Sequence, residues 1–148
     1  MEFTVKEVKS RSETEKLAGL ARQEFQYTVA PYVSHAAFEE FEANLNFALN
    51  IDSILWFGAY SGNEPAGMCA YSDDTACILL LFTGQDFRGR GCAGALIQEV
   101  IKRCTHKGVR VNAYKDSLGF YLKQGFKTVG ALTCSEGIPV YPMFRTCD

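Results

Sequence analysis

A chain of 148 residues with 47% hydrophobic and 22% charged side chains is about one globular domain, long enough to bury roughly two thirds of the surface its unfolded form exposes. Its formal net charge of -2 gives no general attraction for a polyanion, so no nucleic-acid partner is expected, and a small or cationic partner is easier to accommodate. No apolar run is long enough to span a bilayer, and the opening Met-Glu-Phe-Thr-Val-Lys lacks the apolar stretch of a signal peptide, so the default expectation is a cytoplasmic location with no membrane partner.

In chain order, "FTVKEV" (3–8) alternates apolar and polar side chains and reads as a strand. Ser12 followed by Glu15 has the spacing of a capping box, and Leu17, Leu20, Ala21 and Phe25 recur at helical intervals, so a helix is expected from Ser12. Pro31 in "APYVS" breaks it. Ser34 then caps a second helix, with Glu39, Glu40 and Glu42 in its first turns and Phe38, Phe41, Leu45 and Leu49 along one apolar face. From Ser53 the period changes to that of strands: "SILWFGAY", a Ser-Gly-Asn-Glu turn, "PAGMCAYS", an Asp73-Asp74 turn and "TACILLLF" predict three antiparallel strands joined by hairpins. The last is apolar throughout, as a central strand covered on both faces should be. A glycine loop follows, then a helix whose Leu96, Ile97, Val100, Ile101 and Cys104 oppose Gln98, Glu99, Lys102 and Arg103, with its end expected at Lys107-Gly108. "VRVNAY" is the next strand and "SLGFYLKQ" a short helix stopped at Gly125. "KTVGALTC" and "IPVYPMFRT" form a closing hairpin around Ser135-Glu136-Gly137.

The six cysteines, Cys69, Cys77, Cys92, Cys104, Cys134 and Cys147, are scattered, lie mostly in apolar runs and include no C-x-x-C pair. Reduced thiols used as small core residues fit that pattern better than disulfides. His35 and His106 are far apart in sequence, and no metal site is expected.

The stretch "FTGQDFRGRGCAGAL" (82–96) admits three phosphate-binding readings. Gly89, Gly91 and Gly94 spell G-x-G-x-x-G, but that dinucleotide fingerprint belongs in the first strand-to-helix turn, whereas here about half the chain precedes it as helices and antiparallel hairpins. Gly84, Gly89 and Arg90 approach the triphosphate loop G-x-x-x-x-G-K-[ST], with Arg in place of Lys and Gly91 in place of the hydroxyl that holds magnesium. The third reading, Arg88-x-x-Gly91-x-Ala93, is an acyl-coenzyme-A pyrophosphate loop. A strand ends, amides come without side chains at Gly89, Gly91 and Gly94, a helix begins, and Arg88 and Arg90 add charge. A tight turn without a ligand would explain one or two glycines, but not three beside two arginines.

"FRGRGCAGALIQEVI" and "VNAYKDSLGFYLKQGF" together resemble the GNAT superfamily of N-acetyltransferases, and the likeness covers nearly the whole chain. The former is similar to the superfamily's coenzyme-A loop and following helix, with Arg88, Gly91 and Ala93 on its Q/R-x-x-G-x-G/A positions. The latter is similar to its other signature, an Asn at a strand end followed by a helix carrying F-Y and then G-F. The ending "GIPVYPM", with "FQYTVAPYVS" upstream, further resembles a small bacterial-type branch. The resemblance implies an α/β fold of the α+β type: a mixed, mostly antiparallel central sheet in the order β-α-α-β-β-β-α-β-α-β-β, with helices on both faces. Residues 1–148 would form a single acetyltransferase domain.

By that resemblance the chain is an acyltransferase that moves an acetyl group from acetyl-coenzyme A, its co-substrate, directly to a primary amine of a small molecule or peptide, with no metal. Coenzyme A would be held by Phe82, Thr83, Arg88, Gly89, Arg90, Gly91, Cys92, Ala93, Gly94, Asn112, Phe120 and Lys123. Its pantetheine would lie where the central strand and "VRVNAY" splay apart, with a backbone N–H near Phe82 or Thr83 on the oxyanion. Tyr121 occupies the general-acid position, where a phenol with a pKa of about 10 would protonate the leaving thiolate; the alternative is an aromatic on the core face of a short helix. Phe120 and Tyr121 are adjacent, so they should point differently. Asn112 would bond coenzyme A, fix the edge of the site, or cap the next turn. No base is assigned, because "TACILLLF" carries no acidic residue; Asp73 or Asp74, a water chain, or arrival of the free amine would substitute. Thr83-Gly84-Gln85 departs from the family's common Val-Asp-Pro.

Cys92, at a helix N-terminus beside arginines, should have a lowered thiol pKa, so a covalent role stands as an alternative to a filling one. Acceptor contacts are expected from Tyr27 to Val33, notably Tyr27 and Tyr32, and from Tyr141, unless these aromatics serve the core or the homodimer common among relatives. The alternative function is a non-catalytic coenzyme-A or acyl-coenzyme-A binding or sensing module that kept the loop.

Overall fold

In the computed structural model, which describes residues 3–135 and 137–147, Thr4–Val8 forms β1 and pairs antiparallel with β2, Ile54–Ser61. Two helices intervene. Helix α1 (Arg11–Thr28) is capped by Ser10, whose hydroxyl accepts from the Glu13 N–H at 3.2 Å, so the expected cap at Ser12 lies inside the first turn instead. Both serines stand three residues ahead of a glutamate, and the earlier start lets Arg11 bond Glu15 at 2.9 Å and the Leu49 carbonyl at 3.0 Å. A 3₁₀ turn over Ala30–Tyr32, with Pro31 near its start, leads to α2 (His35–Ala48), where Ser34 accepts from the Ala37 N–H at 3.1 Å as expected. Phe41 and Leu45 are buried, and Phe41 stacks on Phe25 of α1 with centroids 3.9 Å apart.

β3 (Glu64–Ser72) and β4 (Cys77–Thr83) continue the antiparallel run, and α3 (Cys92–Arg103) carries the chain to β5 (Gly108–Tyr114), which lies parallel to β4. The helix ends earlier than the expected Lys107-Gly108, because Cys104 is already extended. Gly108 opens β5, where a Cβ would run into the Phe144 ring and the Arg145 carbonyl. After a 3₁₀ turn at Lys115–Ser117, α4 (Leu118–Lys123) ends at Gly125, whose φ is 90°. The expected strand "KTVGALTC" is two short strands, β6 (Lys127–Thr128) and β7 (Thr133–Ser135), both paired with β8 (Ile138–Thr146). Between them Val129 donates to the Pro142 carbonyl at 2.9 Å, but Pro142 has no N–H to return, and the ladder lapses. Glu136, expected in the last hairpin turn, lies outside the described residues.

The sheet order is β1-β2-β3-β4-β5-β8-β6, with β7 also on β8; only β4 and β5 are parallel. Helices α1 and α2 cover one face, burying Leu17, Phe25 and Phe41 against Trp56, Met68 and Phe82. Helices α3 and α4 cover the other, burying Leu96, Ile97 and Tyr121 against Tyr71, Val109 and Met143. This is the expected mixed, mostly antiparallel α/β fold with helices on both faces, with one strand divided in two.

Candidate active site

β4 and β5 pair at only two positions, Cys77 with Arg110 and Ile78 with Val111. Immediately beyond, the register of β4 on β3 slips: Ile78 faces Tyr71 and Leu80 faces Ala70, so Leu79 is an extra residue in β4. Such a bulge bends its strand and increases the twist, which carries Leu80–Thr83 away from Asn112–Tyr114. β4 sends Leu80 and Phe82 to the α1 and α2 cluster and Ile78 and Leu81 to the α3 and α4 cluster, as its apolar run suggested, and only the bulged Leu79, 44% exposed, is uncovered. A narrow gap of about 50 Å³ results, lined among others by Leu80, Phe82, Asn112, Tyr114 and Tyr121. On the α2 side it continues into a larger groove of about 480 Å³; Ile78, Leu79, Leu80, Asn112 and Tyr114 line both. Phe41, Phe82 and Tyr114 form a line of ring contacts, 6.1 and 6.4 Å between centroids, that fixes the α2 wall against the gap.

The glycine loop follows β4. Gly89 and Gly91 have φ of 75° and 84°, left-handed values that cost a side chain strain, and Gly91 is the N-cap of α3. No side chain caps that helix start, so its first amides and the positive end of its dipole are presented outward by the turn. Gly94 lies against the Gln124 amide, 3.3 Å from where its Cβ would be, which brings the loop to the end of α4 and to exposed Lys123. These features suit a pyrophosphate. Arg88 behaves differently from an outward cation: its guanidinium bonds the buried carboxylate of Glu24 on α1, and its Nε reaches the Thr83 carbonyl at 3.4 Å. Cys92 also departs from expectation. Its side chain is 2% exposed and packs against Gly67, where a Cβ would come within 2.5 Å of the sulfur. Burial raises the thiol pKa, outweighing a bond from Thr83 that lowers it. The net shift is therefore opposite to the anticipated lowering, and the buried sulfur against Gly67 fits a filling role.

Tyr121 lies in the gap, 6% exposed, with Phe120 and Phe126 edge-on to its ring at 5.1 and 5.4 Å. Phe120 is half-buried in the same cluster, so the two rings share one side of the sheet despite being neighbours in sequence. Burial, and then the nearby Cys69, Tyr114 and Cys77, push the Tyr121 phenol well above its ordinary value. It therefore stays protonated at neutral pH.

The model of the Acetyltransferase (GNAT) domain matches residues 13–147. The chain belongs to this family. Its GNAT fold recurs in a GCN5-related N-acetyltransferase from Rhodopseudomonas palustris, 16% identical over 99% of this chain and 96% of that one, with a TM-score of 0.81. The PaiA N-acetyltransferase of Thermoplasma acidophilum, solved with coenzyme A, is 20% identical over 99% of both chains, with a TM-score of 0.74. A spermidine N-acetyltransferase chimera of the Vibrio cholerae SpeG enzyme and hSSAT is 16% identical over 99% of this chain and 96% of that one, with a TM-score of 0.68. Comparison with curated proteins gave no match.

Within this GNAT domain the residues expected to meet the acceptor do not converge. Tyr27 and Tyr32 are 58% and 80% exposed and line neither the gap nor the groove. Tyr141 packs in the α3 and α4 cluster, on the other side of the sheet. The groove is built instead by α2, the start of β2, the β3–β4 turn and β8, including Phe47, Ile54 and Ile138. Sequence reading missed these because they look like core, and the one local signal, Phe47 off the apolar face of α2, is weak. Asp74 lines the groove, while the Asp73 carbonyl is bonded by the His106 ring at 2.7 Å; both lie at the opposite end of β4 from the loop.

Proposed function

We propose that this GNAT domain transfers an acetyl group from acetyl-coenzyme A to a primary amine by direct attack. The observation that carries the reading is the gap beyond the Leu79 bulge, which holds a buried phenol and opens on a separate groove, with a helix start that no side chain caps following the same strand. Acetyl-coenzyme A supplies the activated thioester. The amides of Gly91, Cys92, Ala93 and Gly94 would take the pyrophosphate, with Arg90 and Lys123 adding charge, while Arg88 holds the loop to Glu24. The edge of β4 left without a strand at Leu80, Leu81, Phe82 and Thr83 would bond the pantetheine amides. Asn112 and Phe120 would border that arm.

The amine nitrogen, arriving neutral through the groove, forms a bond to the acetyl carbon as the carbon–sulfur bond breaks. The thiolate takes the Tyr121 proton, and the nitrogen's surplus proton leaves to solvent, from which the Tyr121 phenolate is reprotonated. Burial ensures that Tyr121 has a proton to give. The same shift makes its transfer uphill by about 1.4 kcal/mol per unit, which hydrogen bonding to the phenolate must offset. Six free cysteines support a cytoplasmic location.

Thiol release from acetyl-coenzyme A in the presence of an amine panel tests the proposal, and Tyr121→Phe is expected to lower kcat about 100-fold. Unchanged turnover would remove Tyr121 from the acid role. Among the described residues that line the gap none is acidic, which favours a second reading, a coenzyme-A sensor without catalysis. Stabilisation by coenzyme A with no thiol release against any amine would select it.

A further inference from the structure

The groove that meets the gap is large for an acceptor site that has so little charge. At about 480 Å³ it lies within the range of small-molecule pockets. Its walls are apolar: Leu45, Phe47 and Ala48 from α2, Ile54 from β2, Leu79 from β4 and Ile138 from β8. Leu79 and Phe47 are 44% and 65% exposed, so apolar surface faces the cavity without a partner. Among the described residues lining it, Asp74 is the one Asp, Glu, Lys, Arg or His, and it is exposed at the rim of the β3–β4 turn. The polar remainder, such as Asn44, Ser53 and Thr75, is neutral.

An acceptor seated here has its reacting nitrogen at the junction with the gap and the rest of its body against these walls. Any further ammonium on that body would lose its water along the apolar walls, where the one carboxylate, Asp74, lies only at the exposed rim, a heavy penalty inside an apolar site. Methylene or aromatic carbon in the same place is favoured by burial. Resting on the acetyltransferase reading, we propose that the acceptor is a primary monoamine with an apolar body, an alkylamine or aralkylamine, and that polyamines are poor substrates. The groove therefore sets specificity through α2 and β8 rather than through charged residues.

The experiment measures kcat/KM by thiol release for propylamine, pentylamine, phenethylamine, putrescine and spermidine, with wild type and Phe47→Asp. Phe47 is mostly exposed on the rim, so the variant is expected to fold, which its melting temperature checks. In the wild type kcat/KM should rise about fourfold per methylene along the alkyl series, the gain from burying one CH2. Phenethylamine should exceed spermidine at least tenfold, and Phe47→Asp should narrow that ratio about tenfold. A flat alkyl series, spermidine equal to or better than phenethylamine, or a ratio unmoved by Phe47→Asp would overturn the apolar acceptor and leave the acetyltransferase standing. Absence of thiol release with all five amines would overturn the acetyltransferase reading as well.

Discussion

Glu24 is the only charged side chain among the buried described residues, and it points from α1 to the loop that begins at Arg88. A buried carboxylate is tolerated only when its charge is matched, so the Arg88 guanidinium, half-exposed, holds the structure together before it does any binding. Arg88→Ala should destabilise the protein by about 1–3 kcal/mol, because it leaves the carboxylate without its charged partner. Glu24→Gln should cost less. In urea denaturation the double variant should cost at least about 1 kcal/mol less than the sum of the two, the signature of a direct contact; additive losses would mean that the pair is open in solution. None of this could be read from the sequence, where Arg88 looks like a pyrophosphate ligand and Glu24 like one more surface charge of α1. The partners stand 64 residues apart, and no local pattern relates them. Cys92 has the same lesson in reverse: its position at a helix start was visible, but the direction of its side chain depends on Gly67 across the sheet.

At the scale of elements, periodicity located nearly every helix and strand, and failed at their ends. Ser10 and Ser12 both carry the Ser-x-x-Glu spacing, and only the folded chain distinguishes them. Ser10→Ala is therefore expected to cost about 1 kcal/mol in thermal or urea unfolding, the usual worth of an N-cap, and Ser12→Ala less than about 0.5. Equal losses would place the helix start between them. The strand "KTVGALTC" broke for a reason the sequence did contain, since Pro142 in β8 lacks the donor its partner needs, but that partner was not known before the pairing was. The bulge at Leu79 is the most consequential element feature and the least legible. An all-apolar strand gives no period by which to detect an extra residue, and the resemblance to the GNAT family, not the pattern of "TACILLLF", supplied the expectation of a splay.

The whole molecule is two sheet halves, β1–β4 and β5–β8, sharing backbone pairs at Cys77 and Ile78 only, with the α3 and α4 core beneath. Periodicity supplied the elements and the resemblance to the GNAT family supplied the single mixed sheet; neither could show where the groove runs, because its walls are apolar residues that also read as core. If pantetheine occupies the gap, it completes the missing ladder and couples the halves. Acetyl-coenzyme A at 100 times its Kd would then add about 2.7 kcal/mol and raise Tm by roughly 5–10 °C. Hydrogen exchange should localise the effect, with added protection at Leu80–Thr83 and at Asn112–Tyr114, beyond the uniform slowing seen in β1 and β2. Protection confined to Gly89–Gly94 would mean that the ligand touches the loop without entering the sheet, and Tyr121 would then be too far from the thioester to serve as its acid.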